Sequence, residues 1–368
     1  MKKLNKIGII TFTYGDNYGQ RLQNYAVQEL LKKYSDNVVT IPRSELKSKG
    51  IKLLIKDHEK KIFSGLFWAY FKRKKAFRNF DRKYIKYNKY RVNNEYLRNE
   101  KEFDCFIAGS DQIWSPYSCD VDTSMFLTFT NRKKRISLSP SIAAKEIPES
   151  KRELYKEYWD GFGSLSIREN KSAEIIKEIC GKEAEVLIDP TLALDKSKWD
   201  QLENESELEI EEKYILLYCL GVESISEPLK SYSDKKNYSI IDLFSKRYIA
   251  SDPCDFLRLI KNAQLVITDS YHGTIFSIIY HVPFIVIERK GNGPDMSSRF
   301  DTLFEILSVN NRTEKFIDMD NIENIDFNEI DNCIKKEQEK LYRYLDENIE
   351  KSILYESEKN RCNSFLHF

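Results

Sequence analysis

Leu265–Ile287, LVITDSYHGTIFSIIYHVPFIVI, carries the reading of the fold. An apolar run, Leu265–Asp269, ends in Ser-Tyr-His-Gly. A helix-length segment from Ile275 to Tyr280 follows, and Phe284–Ile287 makes a second short apolar run. Strand, helix and strand at this spacing form a parallel crossover unit, because continuously apolar strands need cover on both faces. Parallel sheets bind ligands beyond the carboxyl ends of their strands, where helix N-termini present free N–H groups. His272 stands at such a junction and is one of four histidines in 368 residues. An imidazole there can act as acid, base or anion ligand near neutral pH. It can equally be a hydrogen-bonded filler of the turn.

The same alternation extends to both sides. Lys6–Phe12 reads as a strand, Tyr18–Tyr34 as its helix, and Asn37–Ile41, Phe103–Ser110, Arg135–Ile142 and Leu165–Arg168 as further strands, with a helix over Glu149–Trp159. The pattern restarts with Val186–Ile188, Tyr214–Leu220, Ser239–Phe244 and the opening stretch, with helices over Glu223–Ser233 and Asp252–Asn262. Two series predict an α/β protein of two Rossmann-like doubly wound domains facing a cleft. The expected division is an N-terminal domain over 1–168 with a basic aromatic insertion at 46–91, and a linker region over 169–194. A C-terminal domain over 195–327 and a helical segment over 328–368 complete it. That last segment is acidic and could pack back across the basic first half.

Composition narrows the function class. The chain is 41% apolar, and its 59 basic and 58 acidic residues nearly cancel, so nothing global points to nucleic acid. Seven cysteines without a CxxC pair argue against a zinc site and a secreted disulfide framework, and no metal is expected. The apolar run near the start is too short for a signal peptide, and Ile275–Ile287 falls short of the roughly 20 residues of a membrane-spanning helix. A cytoplasmic protein is expected. Charge is uneven, however. Lys47–Arg91 holds sixteen bases against three acids with aromatics interleaved, while Glu314–Glu350 holds twelve acids against five bases. The basic block is a solvated face or a surface for an anionic membrane.

Polar residues just past a strand are the site candidates. After the first strand, Gly15 and Gly19 bracket Asn17, with Gln20 beyond. This is neither a dinucleotide nor a P-loop fingerprint, and it either admits a sugar or anion or is a capped turn. After the third strand come Ser110, Asp111 and Gln112. Asp111 could take a proton from a sugar hydroxyl or cap the next turn. Arg168 closes its strand, where its planar fork suits a carboxylate or phosphate, or a local salt bridge with Glu169. Ser270, Gly273 and Thr274 surround His272 as a potential anion site. Gly291, Gly293 and Pro294 suggest a mobile loop leading to Arg299, a cation placed against the local helix dipole.

Together GIITFTYGDNYGQRLQNYAVQ, FIAGSDQIWSP, SIREN, VLIDPTL, LVITDSYHGTIFSIIYHVPFI and SSRFDTLFEIL resemble the polysaccharide pyruvyl transferase family, from about Lys6 to Leu307 and in the family's order. The resemblance implies a fold similar to two-domain GT-B glycosyltransferases. It also implies transfer of pyruvate from phosphoenolpyruvate onto two sugar hydroxyls as a ketal, in capsule, exopolysaccharide or cell-wall synthesis. Phosphoenolpyruvate would be a co-substrate, with no separate cofactor. His272 matches the family's histidine and would be the acid/base. Arg168, matching a junction arginine, and Arg299 would clamp the anionic donor, with Ser270, Gly273 and Thr274 beside it. Asp111 would serve the acceptor hydroxyl, with Asn17, Gln20, Ser110 and Gln112 around the acceptor. One departure is Ser270, where several members carry an arginine, so Arg299 or the Gly273 and Thr274 amides must replace that clamp. A saccharide on a polyprenyl diphosphate carrier would bring the protein to the inner face of the membrane. Competing readings are a GT-B glycosyltransferase using a nucleotide-sugar and a non-catalytic binding protein on the same scaffold.

Overall fold

A computed structural model describes residues 3–43, 67–93, 96–117, 122–221, 225–288, 298–310, 312–316 and 321–365. The chain runs β1 (Ile7–Ile10), α1 (Tyr18–Leu31), β2 (Val38–Thr40), α2 (Phe67–Tyr84), β3 (Val92–Asn93), β4 (Tyr96–Leu97), β5 (Cys105–Ala108) and β6 (Arg135–Ser137). Then come α3 (Glu149–Asp160), β7 (Leu165–Ile167), α4 (Asn170–Cys180), β8 (Ala184–Val186), α5 (Pro190–Ala193) and α6 (Lys196–Glu203). The second series is β9 (Tyr214–Tyr218), α7 (Glu227–Lys236), β10 (Ser239–Asp242), α8 (Pro253–Lys261), β11 (Leu265–Thr268), α9 (Tyr271–Ile279) and β12 (Phe284–Val286). Helices α10 (Ser298–Ile306) and α11 (Phe327–Phe365) follow.

The α/β architecture expected from the sequence is present as two parallel four-stranded sheets, ordered β2-β1-β5-β6 and β10-β9-β11-β12. Ile9 pairs with Ile107 in the first and Val266 with Leu216 in the second. The central strands β1, β5 and β11 are buried along their whole length, which is why they read as unbroken apolar runs. Parallel strands β7 and β8 form a separate pair, joined to β6 through Ser166 N–H donating to Ser137 Oγ at 2.7 Å. The region over 169–194 is therefore built of α4, β8 and α5.

The two sheet units share one apolar core. Tyr18 stacks on Phe256 with centroids 4.6 Å apart, and Trp199 meets Phe276 edge-on at 5.0 Å. Helix α11 returns across the first half: Lys33 pairs with Asp346 at 3.0 Å, and Lys340 Nζ donates to the Val186 carbonyl at 2.6 Å. Several element limits differ from the sequence reading: the helix read over Ile275–Tyr280 spans Tyr271–Ile279, and the strand read over Val186–Ile188 spans Ala184–Val186. The strand read over Arg135–Ile142 stops at Ser137 because Ser139 turns to φ 49° and Pro140 follows. The helix read from Glu223 begins at Glu227, where Pro228 sits in the first turn. Lys47–Leu66 of the basic segment, and Gly291, Gly293 and Pro294, lie outside the described residues.

Candidate active site

Asp189 is the centre of the site. It follows β8 and caps α5, with Pro190 in the first helical position, and its Oδ1 accepts from Thr191 N–H at 3.0 Å and Thr191 Oγ1 at 2.8 Å. The cap turns Oδ2 toward Arg168, whose Nη1 donates to it at 2.7 Å, and toward the Ser110 hydroxyl at 3.3 Å. Arg168 and Asp189 are sealed from solvent, at 1% and 0% side-chain exposure. Burial alone would raise the Asp189 carboxyl. The nearby His272 and Arg168 and the Thr191 amide outweigh it and hold the group below the ordinary carboxylate range.

The second half supplies His272 and Tyr271 from the first turn of α9. Ser270 caps that helix, its Oγ accepting from Gly273 N–H at 3.3 Å. Gly273 has no room for a side chain: a Cβ would lie 2.6 Å from Thr268 Oγ1, so the helix packs directly on β11. His272 Nε2 lies 3.6 Å from Asp189 Oδ2, an electrostatic approach too long for a hydrogen bond. Among the described residues that buried nitrogen has no hydrogen-bond partner. From the other side, a Cβ on Gly19 would come within 2.2 Å of His272 Nδ1, so the start of α1 rests against the imidazole.

Tyr271 lies beside two guanidinium groups. Arg168 is 4.3 Å and Arg299 5.5 Å from its ring centroid. Helix α10 is fixed beside Arg168 because Asn170 N–H donates to Thr302 Oγ1 at 3.1 Å and Asn170 Nδ2 to Glu305 at 2.8 Å. Burial, then repulsion from Arg168, pushes Arg299 down to about 10, so it stays cationic at neutral pH. Glu169 is buried, accepting from the Ser141 and Ser172 hydroxyls, and burial raises its carboxyl. Asp111, at φ 75°, adds its charge to the field at both arginines, while its Oδ1 accepts from the Gln112 amide at 2.8 Å. Nε and Nη2 of Arg168 have no hydrogen-bond partner among the described residues.

The structure thus brings together His272, Arg168, Arg299 and Asp111. It reassigns several other candidates. The Ser270 hydroxyl and the Gly273 amide bond to each other, and Thr274 N–H donates to the Ser270 carbonyl at 3.0 Å. These bonds build the helix cap and take up the Gly273 and Thr274 amides. Asn17 Oδ1 accepts from Gln20 N–H at 3.1 Å, which is the capped-turn alternative. Ser110 is fully buried, its hydroxyl 2.7 Å from the Ser139 carbonyl, so it supports Asp189 from behind. Asp189, Glu169 and Tyr271 are the residues that site selection from sequence missed. Asp189 carried a usable signal, because Asp-Pro-Thr directly after an apolar run is a polar residue at a strand's carboxyl end.

Among solved structures, the chain is similar to UDP-N-acetylglucosamine 2-epimerase from Rickettsia bellii, with 14% identity, TM-score 0.49, and coverage of 94% of this chain and 97% of that one. For UDP-GlcNAc 2-epimerase from Neisseria meningitidis bound to UDP-GlcNAc, the values are 12%, 0.42, 92% and 100%. For MurG from Acinetobacter baumannii they are 8%, 0.38, 92% and 95%. No curated protein matches the chain. The description Polysaccharide pyruvyl transferase matches residues 17–291, a span that contains Asp111, Arg168, Asp189 and His272. By that match, over most of its length, the chain belongs to the polysaccharide pyruvyl transferase family.

Proposed function

We propose that the protein moves pyruvate from phosphoenolpyruvate onto two hydroxyls of one saccharide unit, forming a ketal. The observation that supports this most is the pair of buried guanidinium groups flanking Tyr271 beside an imidazole. Arg168 keeps Nε and Nη2 without a hydrogen-bond partner among the described residues, and a ligand with carboxylate and phosphate groups would accept from them.

In this reading a first sugar hydroxyl adds through oxygen to C2 of the donor while C3 takes a proton. The hydroxyl proton passes to a base, so the first step is proton-neutral. The C2–O bond to phosphate then breaks, and the oxocarbenium-like centre is captured by the second hydroxyl, whose proton balances the released phosphate. His272 is suited to the proton transfers, with Asp189 fixing the charge beside it. Arg168 and Arg299 would hold the donor's carboxylate and its departing phosphate. Asp111 would orient the acceptor hydroxyl. A polyprenyl-diphosphate-linked saccharide fits as acceptor.

The test incubates the protein with phosphoenolpyruvate and candidate saccharides, following phosphate release and the mass of the product. Acceptor-dependent phosphate release with a pyruvate ketal on the sugar is expected. Hydrolysis of a UDP-sugar without any turnover of phosphoenolpyruvate would replace this reading with that of a glycosyltransferase. Binding of phosphoenolpyruvate with no turnover on any acceptor would favour a binding protein.

A further inference from the structure

We propose that the outward face of α2 is a docking surface for an anionic lipid bilayer. The helix, FWAYFKRKKAFRNFDRKY, carries seven bases and one acid. That acid, Asp81, is paired with Arg21 at 2.9 Å. Its inward stripe, Arg73, Phe77 and Phe80, is buried. The remaining cations Lys72, Lys74, Lys75, Arg78, Arg82 and Lys83 are all exposed. Lys83 pairs with Glu205 at 2.5 Å. Among the described residues, Lys72, Lys74, Lys75 and Arg78 have no acid within ion-pair distance.

The aromatic residues decide which polyanion fits. Trp68 is 71% and Phe71 57% exposed, one turn apart on this face, with centroids 6.3 Å from each other. Trp68 is the most exposed large apolar side chain among the described residues. Exposing an indole and a phenyl ring to water is unfavourable, and both gain by entering the interfacial layer of a bilayer, where aromatic rings concentrate. The lysines in the following turns then lie at the depth of anionic headgroups. A nucleic-acid duplex, its bases already stacked, would use the cations and leave the two rings in water. No described helix is long and apolar enough to cross a membrane, so the contact would be peripheral.

Placement gives the surface a purpose. On the opposite side of α2, Arg73 donates to the Asp16 carbonyl at 2.6 Å and to Tyr18 Oη at 2.6 Å. Gly19, the next residue, touches His272. A bilayer under α2 therefore lies on the side where α1 meets the candidate site. The proposal is independent of the reaction, and its assay needs no turnover.

The experiment mixes the full chain with vesicles of phosphatidylglycerol in phosphatidylcholine, or of phosphatidylcholine alone, and reads flotation and tryptophan emission. Trp114, Trp159 and Trp199 are fully buried, so a blue shift on binding reports Trp68. Expected are flotation with the anionic vesicles at low salt, release at high salt, and a blue shift that Trp68→Ser abolishes. Lys72→Glu with Lys74→Glu and Lys75→Glu should lower partitioning roughly fivefold for each cation removed, with circular dichroism unchanged. Equal partitioning to both vesicle types, or none, overturns the proposal. So does tight binding to duplex DNA or RNA with no anionic-vesicle binding and unshifted emission.

Discussion

Helices α2 and α9 are opposites. Seven of the eighteen residues of α2 are bases, and only Arg73, Phe77 and Phe80 are buried. All nine residues of α9 are buried, and His272 is its one titratable side chain besides Tyr271. In α2 charge lies in water at little cost, and its abundance describes a surface. In α9 a polar ring is held out of water, which is expensive unless a partner or a task offsets it. Scarcity with burial, rather than abundance, marks the candidate chemistry.

The sharpest way to break this contrast is His272→Ala. If the imidazole carries proton transfer, kcat/KM for acceptor-dependent phosphate release falls by about 10²–10⁴, with the circular dichroism spectrum retained. An unchanged rate would place the imidazole with the packing groups. Next comes Asp189→Asn, which leaves the sealed Arg168 cation without its counter-charge. A stability loss of about 3–5 kcal/mol is expected by urea denaturation. Its pH dependence has a definite sign. The folded-state carboxyl is depressed, so at low pH the unfolded chain binds more protons than the folded one. The stabilisation is present above the ordinary aspartate range near 3.9 and is lost as pH falls below it toward the depressed folded value. The variant's stability should vary less with pH there.

Gly19→Ala tests the approach of α1 to α9 alone. The added methyl meets His272 Nδ1, so the ring must turn or α1 must shift. A rate loss of about tenfold to hundredfold with smaller change in stability is expected. The smallest effect belongs to α2. Reversing Lys72, Lys74 and Lys75 should change stability by less than about 0.5 kcal/mol and leave turnover on a water-soluble acceptor unaltered. A large loss there would erase the distinction between the two helices.

Much of the fold was legible because parallel strands buried on both faces advertise themselves as unbroken apolar runs, as at Ile7–Ile10 and Leu265–Thr268. Searching past strand ends picked out His272, Arg168 and Asp111, which the fold gathers into one candidate site, since topology alone fixes where the carboxyl ends of parallel strands lie. Hydrogen-bond assignment within a turn was not legible. Ser270, Gly273 and Thr274 stand where an anion site is built, yet a serine at that position can satisfy the same amides itself, and it does. Asp189 was recognisable as a motif but not as a centre, because its second oxygen acquires meaning only when Arg168, Ser110 and His272 arrive from distant segments. Tyr271 drew no separate reading within Ser-Tyr-His-Gly, because its place beside two arginines exists only in three dimensions.

Arg73 also reaches the Ile249 carbonyl at 3.0 Å, and Tyr18 Oη donates to the Ser251 carbonyl at 3.0 Å. These bonds rivet the first sheet unit to the second at a point one residue from the imidazole's neighbour. A hinge-like gape of the molecule would have to break the guanidinium bond from Arg73 to Ile249, worth about 1.5–3 kcal/mol, together with the neutral bond from Tyr18 to Ser251. Opening between the units therefore carries a cost at this point, and rearrangement at the rim is the cheaper route for substrate.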